Sequence, residues 1–185
     1  MFCFVGIRVV HFKRSLEASG LSLRRCQLQD FSRLQSLFTP RVLYETSGVE
    51  AKHFGSIFTF WRWATTTFQV IYLIETKEAE ARGAIGFIGL YNIEIGRSLW
   101  LSICLFRSSD RGHGYGKQAV ELLLDYLQKD GLAQSVYVGV LRQNVPSQCF
   151  FDRLGFKVRR RHQDRFLLER HLYRFPSLRN NSSGA

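Results

Sequence analysis

The stretch Arg107–Leu127, RSSDRGHGYGKQAVELLLDYL, decides the fold of this chain. Three glycines, Gly112, Gly114 and Gly116, alternate with other residues directly before an amphipathic helix pattern, and a strand candidate, Arg97–Phe106, precedes them. Apolar residues recur in the helix pattern at i, i+3, i+4 and i+7, which is typical of one buried helix face. These residues are Val120, Leu123, Leu124 and Leu127.

A strand, a glycine-rich turn and a helix start together form an anion-binding arrangement. Glycines let the backbone approach a ligand, successive N–H groups converge on one point, and the helix dipole favours negative charge there. Arg111 and Lys117 add positive charge at either end of the turn. The first hypothesis is therefore a ligand that carries phosphate.

Two common phosphate-binding motifs do not fit this turn. A nucleotide P-loop needs Ser or Thr after its Gly-Lys pair, but Gln118 follows Gly116 and Lys117. A dinucleotide fingerprint needs G-x-G-x-x-G, and the third glycine here is misplaced. Neither of these nucleotide sites is expected.

The composition indicates one globular domain. The 185 residues are 45% apolar and 14% aromatic, which suits a single core. No apolar run reaches the roughly 18–20 residues of a membrane span, so no membrane partner is expected. The apolar start, residues 1–12, lacks a basic n-region and a cleavage site, and it predicts an extra strand or an irregular arm.

The cysteines indicate a reducing compartment. They show no C-x-x-C spacing and no nearby paired histidines, so neither a zinc site nor a disulfide framework is expected. A cytoplasmic protein without a metal is the resulting prediction. The four cysteines are Cys3, Cys26, Cys104 and Cys149.

Positive charge is concentrated near the C-terminus. The net charge is +11, and from Arg153 to the end nine Lys/Arg stand against two Asp/Glu, which places +7 in the last 33 residues. This is either a basic surface for nucleic acid, an acidic partner or a phosphorylated substrate, or a solvated strand face with a frayed tail. No RNA-binding motif accompanies Arg159–Arg161, so nucleic acid ranks last among these partners.

The predicted elements form one α/β domain on a mixed sheet. Short separators between the three central strands predict an antiparallel meander. Gly86 and Gly89 predict a bulge or close packing in the second of these strands. The predicted helices are 28–38, 50–63, 116–130 and 146–154, and the predicted strands are 21–24, 68–75, 84–91, 97–106, 135–140, 156–161 and 166–173.

Two motifs resemble those of a known family. The first is Arg111-x-x-Gly114-x-Gly116, between a long strand and an amphipathic helix. The second is Asn144–Phe156, NVPSQCFFDRLGF, after the next strand. They are similar to the pyrophosphate-binding turn and the N-x-x-[AS]-x-x-x-[YF]-x-x-x-G-F helix of the GNAT superfamily of acyl-CoA-dependent N-acyltransferases.

The resemblance is close over Arg97–Lys157, and from Leu21 to Gly96 only the element order agrees. It implies a single GNAT domain over residues 21–175, an N-terminal extension of residues 1–20 and a disordered tail of residues 176–185. The implied sheet is mixed and mostly antiparallel, with six to seven strands that splay at the cofactor site and about four flanking helices. The opening, LSLRR before QDFSRL, resembles the branch that modifies protein N-termini, polyamines and amino sugars.

By this resemblance the chain binds acetyl-CoA, or another acyl-CoA, and an amine attacks the bound thioester directly. Backbone groups of Cys104, Leu105 and Phe106 are implied to pair with the pantetheine arm. An N–H near Leu105 is implied to polarise the carbonyl. The turn is implied to hold the pyrophosphate by its backbone, so the side chain of His113 has no catalytic role. The implied cofactor contacts in the two motifs are Arg111, Gly112, His113, Gly114, Tyr115, Gly116, Lys117, Asn144 and Phe151.

The catalytic groups depart from the family pattern. Phe151 stands where the family often has a tyrosine acid, and Leu101 and Gly139 stand where many members carry a glutamate base. One alternative is that the enzyme relies on positioning and an oxyanion site, since proton relay typically contributes only about 10²–10⁴-fold to the rate. A second is that other residues substitute for the missing acid and base. A third is that the protein binds acyl-CoA without turnover. These three alternatives stay open. The substitutes would be Glu94 as base and Tyr137 or Cys149 as acid.

The acceptor is expected to be a small-molecule or peptide amine. The segment that would bind it, Arg41–Thr66, is the least recognisable part of the chain, and the C-terminal hairpin would complete its site. Arg62, Trp61, Trp63 and the basic C-terminal strands would suit an acceptor with phosphate or carboxylate. A homodimer is a further arrangement that the sequence leaves open.

Overall fold

The computed structural model describes residues 12–18, 20–32, 34, 57–77 and 83–172. These residues form eight strands and three α-helices, besides short 3-10 turns. The helices are α1 Ile57–Thr67, α2 Tyr115–Lys129 and α3 Val145–Arg153. The strands are β1 Ser15–Ala18, β2 Leu21–Arg25, β3 Val70–Thr76, β4 Gly86–Glu94, β5 Arg97–Leu105, β6 Ala133–Leu141, β7 Lys157–Arg161 and β8 Arg165–His171.

All eight strands lie in one sheet, in the order β1-β2-β3-β4-β5-β6-β8-β7. Neighbouring strands are antiparallel except β5 and β6, which run parallel. The β5–β6 pairing starts at Arg97 opposite Ala133 and ends at Trp100 opposite Tyr137. Beyond that row the two strands diverge and leave a gap. The predicted α/β fold with a mixed, mostly antiparallel sheet is confirmed.

The helices cover opposite faces of the sheet. The apolar face of α2 buries residues such as Leu123 in the larger core, which also contains Leu101 of β5. On the other face, Ala64 of α1 packs in a smaller core with Phe87 and Cys104. Successive strand side chains point to opposite faces, so β5 contributes to both cores.

Two glycines of β4 are required by close packing. A Cβ at Gly89 would overlap the ring of Phe68, and a Cβ at Gly86 would collide with the Cys104 carbonyl oxygen. The irregular register of this strand lies instead between Tyr91 and Glu94. Of the two predicted reasons for these glycines, close packing applies.

The structure differs from the predicted elements in two places. The sheet has eight strands rather than six to seven, because β1 lies inside the segment that was expected to be an extension. Helix α1 ends at Thr67 and not at residue 63. It continues because Ala64 is buried and its carbonyl accepts the N–H of Phe68 at 2.9 Å.

Some predictions fall outside the described residues. The predicted helix 28–38 is described only as a 3-10 turn, Leu28–Asp30, and helical residues as far as position 34. The first eleven residues, positions 35–56 and the tail from position 173 are not described. In the parts that are described, no helix is long and apolar enough to cross a membrane.

Candidate active site

A cavity of about 880 Å³ opens where β5 and β6 diverge. Its walls are the ends of these strands, the glycine turn and α3. Phe106 and His113 are outside its lining. The other predicted cofactor contacts line it together: Cys104, Leu105, Arg111, Gly112, Gly114, Tyr115, Gly116, Lys117, Asn144 and Phe151.

The turn before α2 presents its backbone to this cavity. Gly112 and Gly114 have φ angles of 85° and 84°, in the left-handed region that favours glycine. The first intrahelical hydrogen bond of α2 runs from the Gln118 N–H to the Gly114 carbonyl at 3.0 Å. The N–H groups that precede Gln118 in the helix are therefore not hydrogen-bonded to carbonyls of the helix itself. They lie at its N-terminal end, where the helix dipole is positive.

The charge of the cavity also suits phosphate. Arg111, Lys117 and Arg153 line it, and its described lining contains no Asp, Glu or His. A Cβ at Gly112 would meet no atom within 4 Å, so open space lies beside that backbone. These residues fit the pyrophosphate of an acyl-CoA.

The alternation of backbone N–H groups along β5 directs the Leu105 N–H toward the gap. The Phe106 N–H donates to the Ile85 carbonyl at 2.9 Å, on the β4 side. Backbone N–H groups alternate between the two edges of a strand, so Cys104 also directs its N–H toward β4 and Leu105 directs its N–H toward the gap. The guanidinium of Arg111 reaches the Leu105 carbonyl at 3.4 Å.

The predicted helix motif forms α3, which closes the cavity. The Asn144 side-chain oxygen accepts the Ser147 N–H at 3.1 Å and so caps the helix. Phe151 is 6% exposed, and its ring centroid lies 5.0 Å from that of Phe150 and 5.2 Å from that of Phe156. The side chain at this position supplies apolar surface and no proton.

The three predicted catalytic substitutes lie in three different places. Glu94 is exposed at the opposite end of β5, where its carboxylate lies 3.3 Å from Arg97. Tyr137 lies in the last paired row before the gap. Only Cys149, which is exposed, lines the cavity. Their catalytic roles stay predictions.

Tyr137 has a carboxylate partner that the sequence reading missed. Its hydroxyl donates to Glu169 at 2.7 Å, and the Glu169 side chain is only 7% exposed. That hydrogen bond, more than burial, raises the pKa of the Tyr137 hydroxyl. The phenol therefore keeps its proton and directs it at Glu169. Trp100 completes the row, with its ring centroid 5.7 Å from that of Tyr137.

Glu169 holds further polar partners on the same face. Its carboxylate lies 3.4 Å from Arg159 on β7 and 3.6 Å from His171 on its own strand. The pairing that brings Glu169 opposite Tyr137 joins residues 32 positions apart. The only sequence signal was a glutamate after two leucines in a predicted strand.

No metal centre accompanies this site within the described ranges. No group of three or more His, Cys, Asp or Glu side chains there could hold a metal ion.

Sequence comparison identifies the family. The family model described as the acetyltransferase (GNAT) domain matches residues 21–157. The chain belongs to the GNAT acetyltransferases, which use acetyl-CoA. Among curated proteins, none matches the chain significantly.

Solved structures share the fold at low identity. Spermidine N-acetyltransferase from Vibrio cholerae, in complex with CoA and spermine, is 17% identical with a TM-score of 0.70, covering 85% of this chain and 98% of that one. RimL, a ribosomal α-N-protein acetyltransferase in complex with CoA, is 15% identical with a TM-score of 0.72, covering 85% and 98%. An acetyltransferase from Salmonella typhimurium that modifies the N-terminal serine of a ribosomal protein is also 15% identical, with a TM-score of 0.69 and coverage of 84% and 97%.

Proposed function

We propose that this protein transfers an acetyl group from acetyl-CoA to a primary amine within a ternary complex. The observation that carries the proposal is the β5–β6 gap, which opens into a cavity lined by the glycine turn and by cations. Two acetyltransferases with similar structures act on spermidine and on the N-terminal serine of a ribosomal protein. This supports a small-molecule or peptide amine as the acceptor.

In this proposal, backbone N–H groups bind the pyrophosphate and stabilise the oxyanion. The N–H groups from Gly112 to Lys117 hold the pyrophosphate, and Asn144 positions α3 against the cofactor. The Leu105 N–H polarises the thioester carbonyl and stabilises the oxyanion that forms when the amine attacks. Loss of one such donor typically costs about 10²–10³-fold in rate. The C–S bond then breaks, CoA leaves as a thiolate, and the nitrogen loses a proton.

The missing proton donor at Phe151 is tolerable for this leaving group. A thiol has a pKa near 8.5, so a thiolate leaves without obligatory protonation at neutral pH. Glu94 as base and Tyr137 or Cys149 as acid stay the candidate proton carriers. Of these, Tyr137 has the carboxylate of Glu169 as a partner, which favours it as part of a relay.

A second candidate is a non-catalytic acyl-CoA-binding module. Phe151 offers no hydroxyl, and Leu101, at a position where relatives can carry a base, is 1% exposed in the core. The described cavity lining also lacks Asp, Glu and His. These features would suit a protein that binds the cofactor without turnover.

One assay separates the two candidates. The purified protein is incubated with acetyl-CoA and single amines, namely spermidine, glucosamine and peptides with free N-termini, and released CoA and acetylated amine are quantified by mass spectrometry. Equal amounts of both products support the transferase. CoA binding by calorimetry without acetylated product supports the binding module. Absence of CoA binding contradicts both.

We place this activity in the cytoplasm. Three cysteines in the described residues, Cys26, Cys104 and Cys149, are free thiols. Thiols are kept reduced in that compartment.

A further inference from the structure

The short helix α3 needs contacts outside itself to keep its position. It has nine residues, Val145–Arg153, and isolated helices shorter than about 12–15 residues are marginal in water. It also forms a wall of the cavity, to which it contributes Phe150, Phe151 and Arg153. The contacts that fix α3 on the sheet therefore also fix the shape of the cavity.

Gln148 ties the first half of α3 to the end of β6. Its side-chain amide nitrogen donates to the Leu141 carbonyl at 3.1 Å and to the Arg142 carbonyl at 2.8 Å. Leu141 is the last residue of β6, and Arg142 follows it in the segment that leads into α3. The two hydrogen bonds therefore join the helix to the strand that borders the gap.

Arg170 ties the other end of α3 to β8. Its guanidinium donates a hydrogen bond to the carbonyl of Leu154, the residue directly after the helix. A Cβ at Gly155 would lie 3.9 Å from the Arg170 Nε atom, so the guanidinium lies beside the left-handed glycine that follows the helix. The last carbonyls of a helix lack partners within it and carry partial negative charge, so a cation is favourable there.

The strand β8 directs Arg170 to the face of the sheet on which α3 lies. Leu168, two residues earlier, is buried in the larger core together with Val136, and strand side chains alternate between the two faces. Arg170 lies opposite Val136 in the β6–β8 pairing. Glu169, between Leu168 and Arg170, points to the other face, so the Arg170 tie is separate from the hydrogen bond between Glu169 and Tyr137.

The two ties act close to groups that line the cavity. Leu154 directly follows Arg153, so a fixed Leu154 carbonyl limits the movement of the Arg153 backbone. On the opposite wall, a Cβ at Gly116 would lie 3.5 Å from the ring of Phe150, so α3 packs against the first turn of α2. A shift of α3 would therefore change the spacing between Arg153 and the N–H groups of the glycine turn.

We propose that Gln148 and Arg170 are positioning residues for cofactor binding, which hold α3 at the distance from the glycine turn that CoA requires. Neither side chain lines the cavity, so both act through α3. This inference rests on the proposed binding of CoA in this cavity. When a tie is lost, α3 occupies the binding-competent position for a smaller fraction of the time, and the apparent Kd rises in inverse proportion to that fraction.

Titration of single variants with CoA tests the proposal. Arg170→Met removes the guanidinium and keeps an unbranched side chain, and Gln148→Met does the same for the amide. Isothermal titration calorimetry is expected to give a Kd for CoA that is about 10-fold higher in each variant. Arg170→Lys keeps a cation that can bond the last carbonyls of a helix, and we expect it to recover most of the lost affinity. Wild-type affinity in either methionine variant would overturn the role of that residue, and so would equal losses in Arg170→Lys and Arg170→Met.

Tyr72→Phe is the matched control for a loss of stability. The Tyr72 hydroxyl donates to the Lys13 carbonyl at 2.7 Å, and Tyr72 is fully buried in β3. This variant also removes one side-chain donor from a backbone carbonyl, but outside the cavity lining. We expect urea denaturation to show a loss of stability in Tyr72→Phe and in Arg170→Met, with CoA affinity unchanged in Tyr72→Phe. An equal fall in affinity in both variants would mean that general destabilisation, and not the position of α3, controls binding.

Hydrogen exchange locates the effect in the chain. The backbone amides from Cys149 to Phe156 are expected to exchange faster in Arg170→Met than in the wild type, while those of β3 keep their rates. Unchanged exchange in α3 would contradict the proposed displacement, and Gln148→Met tests the same displacement if Arg170→Met does not fold.

Gly114→Asp separates this inference from the function on which it rests. If Gly114→Asp keeps wild-type CoA affinity, CoA does not occupy this cavity, and the proposed cofactor site itself is wrong. If Gly114→Asp loses CoA affinity and both methionine variants keep it, the cofactor site stands and only the positioning roles of Gln148 and Arg170 are overturned.

Discussion

In the proposed function, the two sides of the β5–β6 gap bind their ligands by different means. On the cofactor side, the turn from Gly112 to Lys117 offers backbone N–H groups, and its two left-handed glycines are only two positions apart. On the acceptor side, the candidate groups are side chains from different strands, such as Tyr137 on β6 and Glu169 on β8. A backbone site leaves a short, local pattern in a sequence, whereas a side-chain site depends on strand register.

The same contrast predicts which substitutions each side tolerates. Side chains at His113 and Tyr115 can change without loss of the backbone donors beside them, while the glycines cannot. On the acceptor side every change of side chain alters the surface that a substrate meets. In the proposed function, the cofactor side therefore carries the family pattern, and the acceptor side determines the substrate.

The largest effect is expected for Gly114→Asp. This residue has a φ of 84°, and an aspartate there would place a carboxylate beside the site of the pyrophosphate. We expect CoA affinity to fall at least about 100-fold, because a like charge is added where an anion binds. Isothermal titration calorimetry with CoA measures this change.

Gly20→Asp is the matched control for that variant. Gly20 has a φ of 82°, and a Cβ there would meet no atom within 4 Å. It lies in the turn between β1 and β2, so it imposes similar backbone strain far from the cavity. Thermal unfolding should show comparable destabilisation of both variants, with CoA affinity lost in Gly114→Asp alone. Equal CoA affinities would refute the role of the turn.

Local patterns were enough to predict the cofactor side. The strand Arg97–Leu105 and the helix Tyr115–Lys129 begin and end within one residue of their predicted bounds. Their signals are an apolar run, a glycine turn and a 3.6-residue repeat, all of which arise from neighbouring residues. The fold class and the family follow from these elements and the α3 motif.

The acceptor side could not be predicted in the same way. Glu169 looks like any exposed strand glutamate until the β6–β8 register places it opposite Tyr137. The end of helix α1 was predicted at residue 63 and lies at Thr67, because the burial of Ala64, which extends the helix, depends on packing in the core that contains Phe87.

Glu169→Gln tests whether the acceptor side is independent of the cofactor side. The carboxylate accepts a hydrogen bond from Tyr137 and lies near Arg159 and His171, in a side chain that is 7% exposed. Weakening a buried charge-assisted network should cost about 1–3 kcal/mol of unfolding free energy, measured by urea denaturation. CoA affinity should not change.

Asp125→Asn provides the comparison for Glu169→Gln. Asp125 pairs with Lys129 at 2.7 Å, but both side chains are more than half exposed. Exposed pairs contribute about 0–1 kcal/mol, so its unfolding curve should stay close to that of the wild type. If both variants lost the same stability, the buried network would have no special role. If Glu169→Gln lowered CoA affinity, the two sides would be coupled.

The smallest effect is expected for cysteine alkylation, which compares one cysteine in the cavity with one outside it in the wild-type protein. Cys149 is exposed and lines the cavity, so bound CoA should shield it. Cys26 lies outside the cavity, and burial raises the pKa of its thiol to about 12, so little reactive thiolate exists at pH 8. At a CoA concentration ten times the Kd, about one site in eleven is empty, and alkylation of Cys149 by iodoacetamide should slow by about 10-fold while the slow reaction of Cys26 is unchanged. Peptide mass spectrometry follows each residue, and equal rates for Cys149 with and without CoA would place the cofactor outside this cavity.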